Sequence, residues 1–407
     1  MSGLDGRGAA AHGEGRAAWS AVVAMTLGVF GLVTAEFLPA GLLTPMATDL
    51  GVTEGQAGQA VTATAVVALV TSIFIAAATQ RVDRRHLLIA FSALLVASNL
   101  IVALSPGLPE LILGRVMLGV AIGGFWTMAT ATAMRLVPEA LVPRALSMIF
   151  TGVSAATVLA APVGSYLGDA FGWRSVFLIG AGLGVVAFVA QVATLPRMAP
   201  SGRTRLRTLV EVLARPGIAL GMLASILIFA GHFALFTYIR PFLETVTAVG
   251  GGGVAAVLLG FGLANFVGTF CAGFLIERSL RLTLMAMPLV IGAVGLALAG
   301  VGGGPVADGA LVAIWGLAFG AVPVAWTTWL ARTVPDETES AGGLLVAAIQ
   351  FAIAMGAAVG GVVFDAAGAA GVFTVGGAVL VVAALTVLVG VRRSAPAGRL
   401  ATAREGL

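Results

Sequence analysis

Glu36, Arg115 and His232 each interrupt an apolar run long enough to cross a bilayer. A charge held inside hydrocarbon costs at least about 2.5–3.5 kcal/mol on insertion scales, so such residues mark a function or a fixed partnership. Glu36 falls roughly 17 residues into the run that begins near Trp19, about 25 Å along a helix that rises 1.5 Å per residue. Arg115 falls roughly 5 residues into a run that enters from the opposite face, so both reach comparable depth in the outer third, where the spacing leaves them free to pair. A buried carboxylate beside a guanidinium can carry one proton, loaded or released when their contact changes. Glu36 therefore reads either as a proton carrier or as a hydrated anchor at the rim. Arg115 reads either as a partner in that step or as a bridge between helices.

The uncharged polar side chains form a second set. His232 lies in the outer half of its run, where an imidazole either titrates near neutral pH or bonds a neighbouring helix. Tyr238 and Arg240 follow at the height of interfacial anchors. Asn265 and Gln350 fall near mid-span, where an amide serves a polar solute or ties helices together. Trp126 and Trp326 occupy similar inner-half positions and either stack on a flat ring or pack. Gly119, Gly123 and Gly124, with Gly316 and Gly320, set small residues one turn apart for close helix contact. Pro162 and Pro323 each remove a backbone hydrogen bond and mark places where helices bend.

The composition excludes several chemistries. All 22 basic residues are Arg, so a P-loop phosphate-binding Lys and a Schiff-base amine are both impossible. Cys271 is the single cysteine, and His12, His86 and His232 are too scattered for a metal cluster. No serine-hydrolase elbow or His/Glu metal motif appears. The expectation is a protein without cofactor or metal that is not an enzyme. The pI near 10.4 points to no nucleic acid, because the Arg residues punctuate apolar runs and form no patch.

The elements that position these residues are membrane-spanning helices. Of 407 residues 59% are hydrophobic and 10% charged, against about 25% charged for soluble domains. Apolar runs predict twelve helices at about 19–43, 56–79, 86–104, 110–134, 145–167, 175–195, 216–240, 253–276, 283–301, 309–331, 341–363 and 371–391. The segment 1–18 reads as a disordered tail, and the apolar run after it is too long for a cleaved signal peptide. An alternating Arg count places 19 Arg on one side and only Arg174 and Arg240 on the other, which predicts cytoplasmic termini and an even number of spans.

An internal repeat divides the chain. Arg81-x-x-Arg84 recurs as Arg278-x-x-Arg281, and Arg135-x-Val137-Pro138 as Arg332-x-Val334-Pro335, each displaced by 197 residues. Asp169-Ala170-x-Gly172 with Val176-Phe177 recurs as Asp365-Ala366-x-Gly368 with Val372-Phe373, displaced by 196. The prediction is an all-α membrane protein of two pseudo-symmetric six-helix bundles, 19–195 and 216–391, joined by a cytoplasmic linker 196–215 and followed by a tail 392–407.

Over Trp19 to Gly390 the chain resembles the major facilitator superfamily, in particular its twelve-span proton-coupled exporters of drugs and metabolites. Arg115-x-x-x-Gly119-x-x-x-Gly123-Gly124 resembles the family's helix-4 motif, whose Arg is tied to proton coupling. Ala161-Pro162-Val163-Gly164 resembles its helix-5 antiporter signature, with Ala161 where Gly is usual. Arg84 and Arg85 fit the gating loop between helices 2 and 3, whereas Ala76 and Gln80 replace the family's Gly and Asp. Thr34 to Ala40, Gly123 to Trp126, Gly231-His232-Phe233, Phe236 to Pro241 and Trp315 to Phe319 are similar to the purine ribonucleoside efflux pumps of bacteria.

The resemblance implies a monomeric inner-membrane antiporter, without cofactor, that exports inosine- or guanosine-like nucleosides, and purine analogues with them, against protons. Trp126, His232, Tyr238, Asn265, Trp326 and Gln350 stand as candidate substrate contacts, and Pro162 and Gly164 as conformational residues. Export of sugars or amphipathic drugs such as chloramphenicol is the rival expectation, and a non-transporting membrane sensor a more distant one.

Overall fold

The computed structural model describes residues 17–199, 211–301 and 304–390. Of the expected tails, only Ala17 and Ala18 are described, and of the expected linker the stretch 200–210 is not. The first half comprises α1 Trp19–Leu50, α2 Glu54–Ala78, α3 Arg84–Leu104, α4 Leu108–Leu136, α5 Val142–Phe171 and α6 Trp173–Thr194. The second comprises α7 Ile218–Thr237, the short α8 Ile239–Thr245, α9 Gly251–Val301, α10 Pro305–Thr333 and α11 Thr338–Gly390. Single 3-10 turns, Glu139–Leu141 and Pro335–Glu337, precede α5 and α11.

Among the described residues ten helices are long and apolar enough to cross a membrane. Two of them, α9 with 51 residues and α11 with 53, each break once and cross twice, which makes twelve crossings. In α9 the break is Ser279, which leaves helical geometry and accepts a hydrogen bond on Oγ from Leu282 N at 3.2 Å, capping the second arm. In α11 the break is Gly368 at φ 67° and ψ −173°, a conformation open essentially to glycine alone. Its repeat mate Gly172, at φ 82° and ψ 148°, separates α5 from α6.

Local chemistry explains where the expected boundaries shift. The first helix runs on to Leu50, past the expected 43, with Pro39 and Pro45 inside it. The expected helix 216–240 instead ends at Thr237, because Pro241 has no N–H to give the Thr237 carbonyl, and α8 restarts the chain beyond Tyr238. Thr53 and Gln56 form a reciprocal capping box on α2. Asp83 caps α3 through Arg85 N and also accepts from Met198 N, which ties the segment after α6 to the same end.

Within the first half, α1 packs on α5 and α6, α2 on α4, and α3 on α4 and α6. The second half repeats this with α7 on α11 and the first arm of α9 on α10. Glycines permit the closest approaches: a Cβ at Gly316 or Gly320 would strike the α9 backbone at Phe261 or Asn265, as one at Gly119 or Gly123 would strike α2 at Thr64 or Ala68. The halves meet along two equivalent seams, α2 with α11 and α5 with α9. We call the end that holds Trp19, Arg84 and Thr194 the near end, and the end that holds Leu50, Trp173 and Thr237 the far end.

Candidate functional site

Glu36 sits on α1 in the far half of the bundle, only 8% exposed. It borders a narrow cleft between the halves whose other walls include Phe37 on α1, Val61 on α2, Phe233, Phe236 and Thr237 on α7, and Ile353 on α11. Phe37 meets Phe233 and Phe236 across the halves, with ring centroids 6.2 and 5.8 Å apart. Gln350, one turn from Ile353 on α11, reaches toward the carboxylate. Glu36 Oε1 and Gln350 Oε1 are both buried without a hydrogen-bond partner. An acceptor in that position calls for a donor, which a proton, a water or a polar solute supplies.

Arg115 does not pair with this carboxylate. The guanidinium, 1% exposed, donates from Nη1 to the Ala35 carbonyl at 2.7 Å, from Nε to the Ala60 carbonyl at 3.2 Å and from Nη2 to the Glu36 carbonyl at 3.4 Å. The reason lies in α1: the helical donor for the Ala35 carbonyl would be residue 39, and Pro39 has no N–H. Arg115 thus clamps α1 to α2 through the main chain, and its charge stands beside the Glu36 carboxylate without bonding it.

His232 lies in the second half, 2% exposed, stacked on Phe319 with centroids 3.3 Å apart and 3° between planes. Trp315 Nε1 donates to His232 Nδ1 at 3.0 Å. An indole N–H only donates, so Nδ1 is the acceptor and the ring is a neutral tautomer protonated on Nε2. Phe236, itself on the cleft wall, and Phe261 behind it complete this aromatic block.

The other expected contacts are placed apart from the cleft lining. Tyr238 is fully buried, donates to the Ala357 carbonyl at 3.0 Å and wedges between Gly58 of α2 and Gly361 of α11, so it packs helices. Asn265 Nδ2 reaches the Gly316 carbonyl at 3.4 Å and ties α9 to α10. Trp326 is buried against Trp329 at 5.2 Å, and half-buried Trp126 stands against Phe150 at 5.7 Å. Arg84 approaches Met128 Sδ at 3.6 Å and Arg85 donates to the Val192 carbonyl at 2.9 Å, both at the near end. Pro162 and Gly164 lie buried on α5, with Gly164 facing Leu38 of α1.

Two features escape a reading of the sequence by spans. Phe37 brings the first half's aromatic face to the cleft, and only its adjacency to Glu36 signals it. Arg240, expected as an interfacial anchor, is 4% exposed and bonds across to the first half. Its Nη1 donates to the Gly41 carbonyl at 2.6 Å, whose helical donor would have been Pro45. The signal available was the pair of prolines in α1, each freeing a carbonyl that a distant arginine takes.

With this geometry established, comparison with known proteins gives a consistent picture. Residues 25–350 match the family description of the Major Facilitator Superfamily. The chain is 45% identical over 382 residues to the purine ribonucleoside efflux pump NepI of Salmonella typhimurium, covering 94% of this chain and 96% of that one. It is 44% identical over 389 residues to the transcription regulatory protein OpdE of Pseudomonas aeruginosa, covering 95% and 97%. Among solved structures, a D-xylose–proton symporter superposes with a TM-score of 0.73 at 16% identity over 91% of this chain and 97% of that one, a likeness of fold. The twelve-crossing fold, the duplicated halves and the matched residues place this chain in the Major Facilitator Superfamily, as a multi-pass membrane transporter.

Proposed function

We propose that the protein exports purine ribonucleosides, inosine- or guanosine-like, in exchange for protons, by alternating access of a site between its halves. The observation that carries this reading is Glu36: a buried carboxylate with an unpartnered oxygen, at a cleft walled by both halves and by aromatic rings. A flat, neutral, polar solute suits such walls, since rings stack on its faces and Gln350 and Glu36 meet its polar edge. The similarity to NepI favours a nucleoside over a sugar or an amphipathic drug. The arginine bias assigns the near end to the cytoplasm and supports a bacterial inner-membrane carrier with both termini inside, acting as a monomer.

Glu36 takes a proton when the cleft faces outward and releases it when the cleft faces the cytoplasm, so proton entry drives solute exit. Inverted membrane vesicles containing the purified chain should take up labelled inosine when acidified inside, and Glu36→Gln should abolish the dependence on the proton gradient. Unchanged coupling in that variant would exclude Glu36 as carrier. Competition by arabinose or chloramphenicol in place of inosine would move the substrate assignment to those classes. A regulatory role, raised by the name of the Pseudomonas relative, predicts no transport by the purified chain at all.

A further inference from the structure

The repeat that divides the chain has a structural counterpart at the far end. Asp169 closes α5 and Asp365 closes the first arm of α11, and they are repeat mates displaced by 196 residues. Gly55 in the first turn of α2 and Gly251 at the start of α9 are displaced by the same 196. The contacts cross between halves: the Asp365 carboxylate lies against Gly55, and the Asp169 carboxylate lies against Gly251. A Cβ at either glycine would collide with the carboxylate, so glycine is what lets each charge rest on the first turn of the opposing helix. That turn carries the positive end of the helix dipole. Thr53, the cap of α2, also donates from Oγ1 to Asp365 Oδ2 at 3.1 Å.

One side of this reciprocal arrangement is reinforced. Arg240 of α8 donates from Nη2 to Asp169 Oδ1 at 2.7 Å and from Nη1 to Ser165 Oγ at 3.1 Å and to the Gly41 carbonyl, all in the first half. Glu244, one turn on, holds the same guanidinium through Nε at 2.8 Å. The repeat mate of Arg240 is Thr44, which has no charge, so the Asp365 side lacks this clamp.

We propose that Asp169 with Arg240, and Asp365 with Thr53, form a duplicated lock that holds the two halves shut at the far end, the Asp169 side being the stronger. It rests on the transport reading only for which face of the membrane that end meets. Opening the cleft outward separates α5 from α9 and α2 from α11, and therefore breaks both carboxylate contacts and withdraws Arg240 from three first-half partners.

The test uses the full chain with Cys271→Ser and one reporter, Val61→Cys, on the cleft wall. A membrane-impermeant maleimide is added to intact cells and, separately, to everted vesicles. Asp169→Asn should raise reporter labelling from outside on the order of tenfold, since it removes the one first-half charge that holds Arg240 across the seam, and Asp365→Asn about threefold. The two together should exceed either alone. Both replacements are isosteric at partly or fully exposed side chains, and a monodisperse detergent-extracted peak confirms folding; Arg240→Lys, which keeps the charge but loses the fork, should fall between wild type and Asp169→Asn. A rise seen only in everted vesicles would keep the lock and overturn the assigned orientation. Labelling unchanged from both sides in both Asn variants, or a larger effect at Asp365 than at Asp169, would overturn the proposal.

Discussion

Ala35 and Gly41 show how a proline creates a task for a residue far along the chain. Each carbonyl loses its helical donor, to Pro39 and Pro45, and in a membrane interior an unmatched carbonyl costs several kcal/mol. Arg115 and Arg240 supply the missing donors at 2.7 and 2.6 Å. If that is the reason Arg115 is needed, Pro39→Ala restores an N–H to the Ala35 carbonyl and lessens the dependence. A double-mutant cycle on thermal unfolding in detergent should then show Arg115→Ala costing about 1–2 kcal/mol less in the Pro39→Ala background. Equal costs in the two backgrounds would break the link. Arg115→Lys should also destabilise, because one ammonium cannot reach three carbonyls on two helices. That Glu36 and Arg115 lie inside the bundle was legible from their isolation in apolar runs; that the arginine serves the backbone was not, since depth along a helix says nothing of which way a side chain turns.

Helix boundaries follow mostly local rules, and the exceptions are informative. Gly172 and Gly368 adopt nearly the same positive-φ conformation at equivalent places in the two halves, one between helices and one inside what is otherwise a continuous helix. Alanine at either place should cost about 1–3 kcal/mol, read as a lower unfolding midpoint. Gly182→Ala provides the control: it lies within α6 at ordinary φ with open space at its Cβ, so the change should stabilise by up to about 1 kcal/mol. The twelve apolar runs were legible because hydrophobic length is a property of consecutive residues. The restart at α8 depended on one proline, Pro241, acting on a carbonyl four residues back. Trp326 shows the opposite limit: a run of small and apolar residues reveals that it lies in a span, and only packing against Trp329 reveals that it turns from the cleft.

At the scale of the molecule, the fold draws on contacts that join distant segments. Arg215, the last residue of the expected linker, donates from Nη1 and Nη2 to the two oxygens of Asp336 before α11, each at 2.7 Å. That hydrogen bond holds the Asp336 carboxyl below its ordinary value of 3.8. Because the folded value is the lower one, the contact's contribution is fully present above 3.8 and is lost as pH falls through the folded value. Wild type and Asp336→Asn should therefore differ slightly in unfolding midpoint at neutral pH and converge in acid; a gap that persists or widens in acid would contradict it. Both side chains face solvent, so the effect should also shrink at high salt. The sequence by itself determined the solvent, the crossing number, the duplication and the presence of one lone acidic group within the first span, because hydropathy, spacing and charge are carried by consecutive residues. Only the tertiary structure decided that Arg115 grips carbonyls, that Phe37, Phe233 and Ile353 share a cleft with Glu36, and that Asp169 meets Arg240 across 71 positions of chain. Those partnerships depend on how helices cross and rotate against one another, which is the sum of many weak packing contacts spread over both halves.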